Sequence, residues 1–163
     1  MKKYKGIEFN LRLEMQWARY FDELGWDWEY RRFRTSNWTP DFKIKFKTHS
    51  VLAEIREISS CASIAKSQYE IIKSSRNIIK QNKDKIDQAM IFGKQPEFDV
   101  DNNIIILGLK YSNEDDKFYP CRITYDQKFK ESWDKITKAT NRADPIKKSK
   151  FAPGKSRPAA NAV

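Results

Sequence analysis

The sequence predicts an α/β domain, and three observations carry that prediction. Apolar residues from Glu8 to Leu24 recur at helical spacing, and apolar and polar residues alternate on either side of Pro40. Two short apolar runs, Ala89 to Phe92 and Ile104 to Leu109, have the length of buried strands. At 163 residues the chain suits one domain that buries a continuous core without disulfides or structural metals. Residues 1–145 are expected to form that unit.

In the first element, Phe9, Leu13, Trp17, Tyr20, Phe21 and Leu24 form one stripe of a helix over Glu8 to Leu24, which Gly25 ends. Trp26, Trp28 and Tyr30 then alternate with Asp27, Glu29 and Arg31, the period of a strand. After Pro40, Phe42, Ile44 and Phe46 share one face while Asp41, Lys43 and Lys45 share the other. A polar turn around Thr48, His49 and Ser50 leads to a strand in which Val51, Ala53 and Ile55 oppose Leu52, Glu54 and Arg56, so the pair predicts an antiparallel hairpin.

A second helix is predicted between Ser63 and Lys85 from Ile64, Gln68, Ile71, Ile72, Ile78 and Ile79, with Ser59 or Ser60 as its cap. Short strands follow at Ala89–Phe92, ended by Gly93, and at Ile104–Leu109, with an edge strand at Phe118–Tyr125. Phe129, Trp133 and Ile136 give a final amphipathic helix before Pro145. Residues 146–163 combine Lys147, Lys148, Lys150, Lys155 and Arg157 with Pro153, Gly154 and Pro158, and read as a flexible basic tail.

The 32 Lys and Arg against 22 Asp and Glu leave a formal net charge of +10, which favours an anionic partner, nucleic acid first. No apolar run reaches the roughly 18 to 20 residues that span a bilayer. Lys2 and Lys3 lead into a polar segment rather than a secretory signal, so the expected location is intracellular, cytoplasmic or phage-encoded. Cys61 and Cys121 lack companions at zinc or redox spacing, and His49 is the one histidine, placed in a turn.

The charges around the hairpin carry the candidate chemistry. Asp41 and Glu54, on neighbouring strands, can converge on one cation, and hard oxygen ligands suit Mg²⁺. Such an ion offsets charge at phosphorus and lowers the pKa of a bound water. Arg56 shares the Glu54 face and can hold a phosphate through its guanidinium, with Lys43 as a substitute ammonium on the Asp41 face. The same alternation also describes half-exposed strands joined by surface ion pairs. On a helical wheel Glu14 falls at the border of the apolar stripe, where it either reaches solvent or turns inward as a third carboxylate. Trp38, outside the regular core pattern, is a candidate for base stacking, and Lys147, Lys148 and Lys150 for tracking a phosphate backbone.

The stretch from Leu13-Glu14-Met15-Gln16-Trp17, through Leu24-Gly25-Trp26, to Pro40-Asp41-Phe42 and Glu54-Ile55-Arg56 resembles the PD-(D/E)xK nucleases, especially small bacterial, phage and homing-type endonucleases. That resemblance implies a restriction-endonuclease-like core, a central mixed β-sheet flanked by α-helices. It matches Glu14 to the acidic residue of the first helix, Asp41 to the motif aspartate and Glu54 to the second motif carboxylate. Arg56 stands at the usual lysine position. The implied activity is Mg²⁺-dependent hydrolysis of double-stranded DNA, with Mn²⁺ as a substitute, leaving a 5′-phosphate and a 3′-hydroxyl. A homodimer would set two such sites across a duplex. The alternative is a DNA-binding or assembly protein that keeps the fold without catalysis.

Overall fold

A computed structural model describes residues 2–32, 34, 38–58, 88–112, 115 and 117–142. The chain opens with a hairpin that the sequence did not suggest, β1 (Lys3–Tyr4) and β2 (Ile7–Glu8). Lys5 at φ 47° and Gly6 at φ 78° form its two-residue turn, the left-handed pair that suits right-handed strand twist. Phe9 donates its N–H to the Lys2 carbonyl at 2.8 Å, which prolongs the extended backbone beyond β2. Helix α1 therefore runs Arg12–Glu23 rather than from Glu8. Phe9 is still a core residue, with its ring 4.5 Å from that of Tyr30.

Gly25 ends α1 as expected, and the geometry shows how. At φ 71° it lets the Trp26 N–H reach the Phe21 carbonyl at 2.8 Å while its own N–H reaches Asp22 at 3.0 Å. Those two bonds are a Schellman cap, which satisfies carbonyls that the helix end would otherwise leave bare.

Six strands follow in one mixed sheet: β3 (Asp27–Tyr30), β4 (Phe42–Lys45), β5 (Ser50–Ile55), β6 (Gln88–Asp99), β7 (Ile104–Ser112) and β8 (Lys117–Thr124). They lie side by side in chain order. Every pairing is antiparallel except β5 with β6, which is parallel. The predicted hairpin is the β4–β5 pair, and the predicted edge strand is β8, where Pro120 is tolerated because an edge needs fewer ladder donors. Helix α2 (Gln127–Arg142) closes the described chain.

Gly93 does not end its strand. β6 continues to Asp99, with a register shift against β7 between Phe92 and Glu97. The Gly93 carbonyl accepts the indole N–H of Trp17 at 2.9 Å, so the irregular stretch has a partner from the helix layer. The predicted helix at Ser63–Lys85 and the basic tail with Lys147, Lys148 and Lys150 lie outside the described residues.

Both helices contribute to one cluster on a single sheet face, where Trp17, Tyr20 and Phe21 of α1 and Trp133 and Ile136 of α2 join Phe42, Ile44, Val51, Ala53, Ile55 and Phe92. Trp17 sits at its centre, 4.8 Å from the Phe92 ring and 4.9 Å from that of Trp133. Ile91, Leu109 and Tyr111 form a smaller cluster by themselves. Among the described residues no helix is long and apolar enough to cross a membrane.

At Gly108 in β7 two backbones of the sheet come close. A Cβ at Gly108 would stand 2.2 Å from the Ile91 carbonyl oxygen, and that atom belongs to the adjoining strand. Gly108→Ala is expected to destabilise the protein by about 1–3 kcal/mol, the usual result of overpacking a rigid contact. Urea unfolding checks it, and a midpoint equal to wild type would show that β6 and β7 separate freely.

Candidate functional site

Three acidic side chains are withdrawn from water at one corner of the sheet. Glu14 is 1% exposed, Asp41 2% and Glu54 4%. Those values exclude both surface readings, the boundary glutamate that reaches solvent and the exposed strand ion pair.

Each carboxylate is delivered by a different element. Glu14 occupies the first turn of α1, where the helix dipole favours a negative charge. Its Oε2 accepts the Leu11 N–H at 2.8 Å and the Tyr30 hydroxyl at 2.8 Å. Asp41 immediately precedes β4, and its Oδ2 accepts the Ile55 N–H at 2.9 Å, which pins it against β5. Glu54 lies in β5 and receives the Trp38 indole N–H on Oε2 at 2.9 Å. Pairing of Phe42 with Ala53 sets Asp41 opposite Glu54 one residue further on, with Cα atoms about 5 Å apart.

Arg31 ties the first two acids together. Its Nη2 donates to Glu14 Oε1 at 3.2 Å and to Asp41 Oδ1 at 2.8 Å. The Arg31 backbone takes φ 47°, a conformation that a side-chain residue rarely adopts, and its N–H continues the ladder to the Asp41 carbonyl at 2.9 Å. Arg56 forms an ion pair with Glu54, donates from Nη1 to the Ile55 carbonyl at 3.0 Å, and is held by its backbone N–H on Phe92 O at 2.9 Å.

The sequence-predicted residues thus divide. Glu14 and Asp41 meet at one guanidinium nitrogen, whereas Glu54 turns to Arg56 and Trp38. Lys43 stands in β4 opposite Glu29 and Leu52, roughly 7 Å along the strand direction from Asp41. Trp38 is not an exposed stacking platform. It is 9% exposed, and its indole N–H is spent on Glu54, because a buried carboxylate needs a donor more than the surface needs an aromatic. Arg31 and Tyr30 were not anticipated as site residues. The available signal was Arg31's place at the end of the alternating run, beside Asp41 once the strands pair.

Burial sets the electrostatics. It raises the Glu54 pKa to about 7, helped by the negative charge of Asp41 and opposed by Arg56 and Trp38. Asp41 is also raised, first by burial and then by Glu14, against the Ile55 N–H and Arg31. Burial likewise pushes the Tyr30 hydroxyl up to about 12, so it remains a donor to Glu14. Burial therefore outweighs the partners that favour the charged forms of Asp41 and Glu54.

As the side chains stand, no three His, Cys, Asp or Glu among the described residues are grouped to chelate one ion. The donor chemistry nonetheless fits a hard divalent cation. Glu14 and Asp41 face one guanidinium nitrogen with Glu54 on the neighbouring strand, Asp41 and Glu54 hold their protons more tightly than usual, and a doubly charged ion would lessen that penalty. No protein-family model matches the sequence, and no curated protein matches it significantly.

The Glu54 shift makes stability depend on pH. Below the ordinary value of 4.5 the group is protonated in both folded and unfolded chains. As pH rises through about 7 the folded chain must take up a buried charge that the unfolded chain carries in water, so stability is lost. The metal-free protein is expected to lose up to about 3 kcal/mol between about pH 5 and pH 8. Glu54→Gln should flatten that slope in chemical denaturation, and an unchanged slope would assign the titration elsewhere.

Proposed function

We propose that the protein is a metal-dependent endodeoxyribonuclease with a restriction-endonuclease-like core, hydrolysing duplex DNA to 5′-phosphate and 3′-hydroxyl ends. One observation carries this reading: a helix and two adjoining strands bury Glu14, Asp41 and Glu54 at one corner, with Arg56 paired to the last. The mixed sheet, with α1 packed on the face of β4 and β5, supports the same core.

Asp41 and Glu54 would hold Mg²⁺, or Mn²⁺ in its place, with Glu14 completing the acidic set. Bound there, the ion supplies charge neutralisation at phosphorus and a lowered pKa for water. Glu54 must give up its proton to become a ligand, so metal affinity rises with pH through neutrality. Arg56 would orient phosphate oxygens through its planar guanidinium. Trp38 and the Ile55 N–H fix the orientation of Glu54 and Asp41, which a site requires before its groups meet a substrate. The formal charge of +10 draws in the phosphate backbone, and Lys147, Lys148 and Lys150 extend that attraction along the duplex. Two copies would address both strands.

A second reading, a nuclease-fold DNA-binding or assembly protein without catalysis, is favoured by one specific feature. Arg31 answers Glu14 and Asp41, and Arg56 answers Glu54, so each acid has an internal partner.

Plasmid, linear duplex and single-stranded DNA incubated with Mg²⁺, Mn²⁺ or EDTA separate the two. Duplex cutting is expected with either metal and none with EDTA. Asp41→Asn and Glu54→Gln should each lower the rate at least roughly 100-fold, the upper range for losing even an outer partner of a metal site. Uncut DNA in every wild-type condition alongside tight binding would establish the second reading, and cutting retained by both variants would place the chemistry elsewhere.

A further inference from the structure

Building on the nuclease reading, we propose that Arg31 is the site's resident counter-cation, which a divalent metal must displace from Glu14 and Asp41 in order to bind. The argument lies in which oxygens remain for a cation. Glu14 Oε2 already accepts two donors, the Leu11 N–H and the Tyr30 hydroxyl, and Asp41 Oδ2 accepts one, the Ile55 N–H. The other two oxygens, Glu14 Oε1 and Asp41 Oδ1, are the pair held by Arg31 Nη2. A metal that bridges these acids takes the place of that nitrogen.

Only one party to the exchange has room to move. The Arg31 side chain is 37% exposed, whereas those of Glu14 and Asp41 are 1% and 3% exposed. The carboxylates are also fixed by backbone donors, so the guanidinium swings outward while the acids stay. Inward, it is held by the two carboxylates, Asn10 and the Tyr30 ring. Its Nε is buried without a hydrogen-bond partner, and its backbone is in the left-handed region. The Tyr30 ring lies 5.5 Å from the guanidinium carbon, and Asn10, with its carboxamide oxygen turned inward, accepts from Nη1 at 2.7 Å. A single positive charge spread over a guanidinium serves two carboxylates less well than a compact divalent ion with oxygen ligands.

Calorimetric titration of Mg²⁺ and Mn²⁺ into wild type, Arg31→Met and Arg31→Lys tests the exchange. All three side chains bear a Cβ, so the left-handed backbone costs them alike and the head group alone is compared. Arg31→Met is expected to bind metal about tenfold more tightly than wild type, a common size for coupling between two competing cations. Arg31→Lys should remain near wild type. Without metal, Arg31→Met should melt below wild type, and saturating Mn²⁺ should close the gap. Equal or weaker metal binding by Arg31→Met overturns the proposal.

A measurement on wild type removes dependence on that variant's folding. The Arg31 Nε–Hε resonance, assigned by its loss in Arg31→Lys, should shift and exchange faster with water as Mg²⁺ saturates the site. A resonance unmoved by bound metal overturns the exchange even where the DNA is cut. Displacement of Arg31 without any cutting instead defeats the nuclease reading and leaves the exchange standing, whereas absence of metal binding defeats both.

Discussion

One guanidinium nitrogen shared between two buried carboxylates sets the terms for this corner of the molecule. Moving an ionised acid out of water costs several kcal/mol after relaxation, so Glu14 and Asp41 are tenable together only with a cation between them. Arg31 meets that need at 3.2 Å and 2.8 Å, and doing so fixes α1 over the open ends of β3 and β4. The backbone yields to this demand. Arg31 accepts a left-handed φ, and Trp38 places its indole N–H on Glu54. The main cluster is built mostly of apolar contacts, whereas here each polar atom dictates where its neighbour stands.

The aromatic core gives those charges a rigid backing. Phe9, Tyr30 and Phe42 pack together beneath Glu14, and Phe21 meets Phe42 and Phe92 edge to face. Tyr30 belongs to both systems, since its ring packs on Phe9 while its hydroxyl donates to Glu14 and accepts the Asn10 N–H. A shift of α1 would therefore disturb ring contacts and carboxylate bonds at once. Trp17 adds a further tie, because its indole N–H spans from the helix to β6 at Gly93.

Much of the framework was legible because period carries it. The switch from helical to alternating spacing after Gly25, and the alternation through Phe42–Lys45 and Ser50–Ile55, mark α1, β3, β4 and β5 with small boundary differences. The burial of Glu14, Asp41 and Glu54 was not fixed by those patterns, since alternation sets Asp41 and Glu54 on the polar faces and a helical wheel leaves Glu14 at a border. Nor was the place of Arg31, because alternation counts it with Asp27 and Glu29 as an outward residue, and nothing in an arginine announces a positive φ. Trp38 was misread for a related reason: an isolated tryptophan beside Pro40 has no periodic partner, and only the pairing of β4 with β5 supplies the carboxylate that its indole serves. Gly93 looked like a strand end, yet β6 runs past it to Asp99 with a register shift against β7. The short β1–β2 hairpin pairs Lys3 with Glu8 and Tyr4 with Ile7 in a polar stretch, below what hydropathy can register.

The groups that hold the three acids come from Leu11, Tyr30, Arg31, Trp38, Ile55 and Arg56. All lie within one contiguous stretch whose strands are sequential antiparallel neighbours. β6 and α2, by contrast, enter the core with Met90, Phe92, Trp133 and Ile136. Among the described residues the charged corner is built by the first third of the chain, and the later elements join that third in the apolar core. Sequence drift in the later segments is then felt as a change in stability, and the chemistry can travel between related chains as a single inherited block.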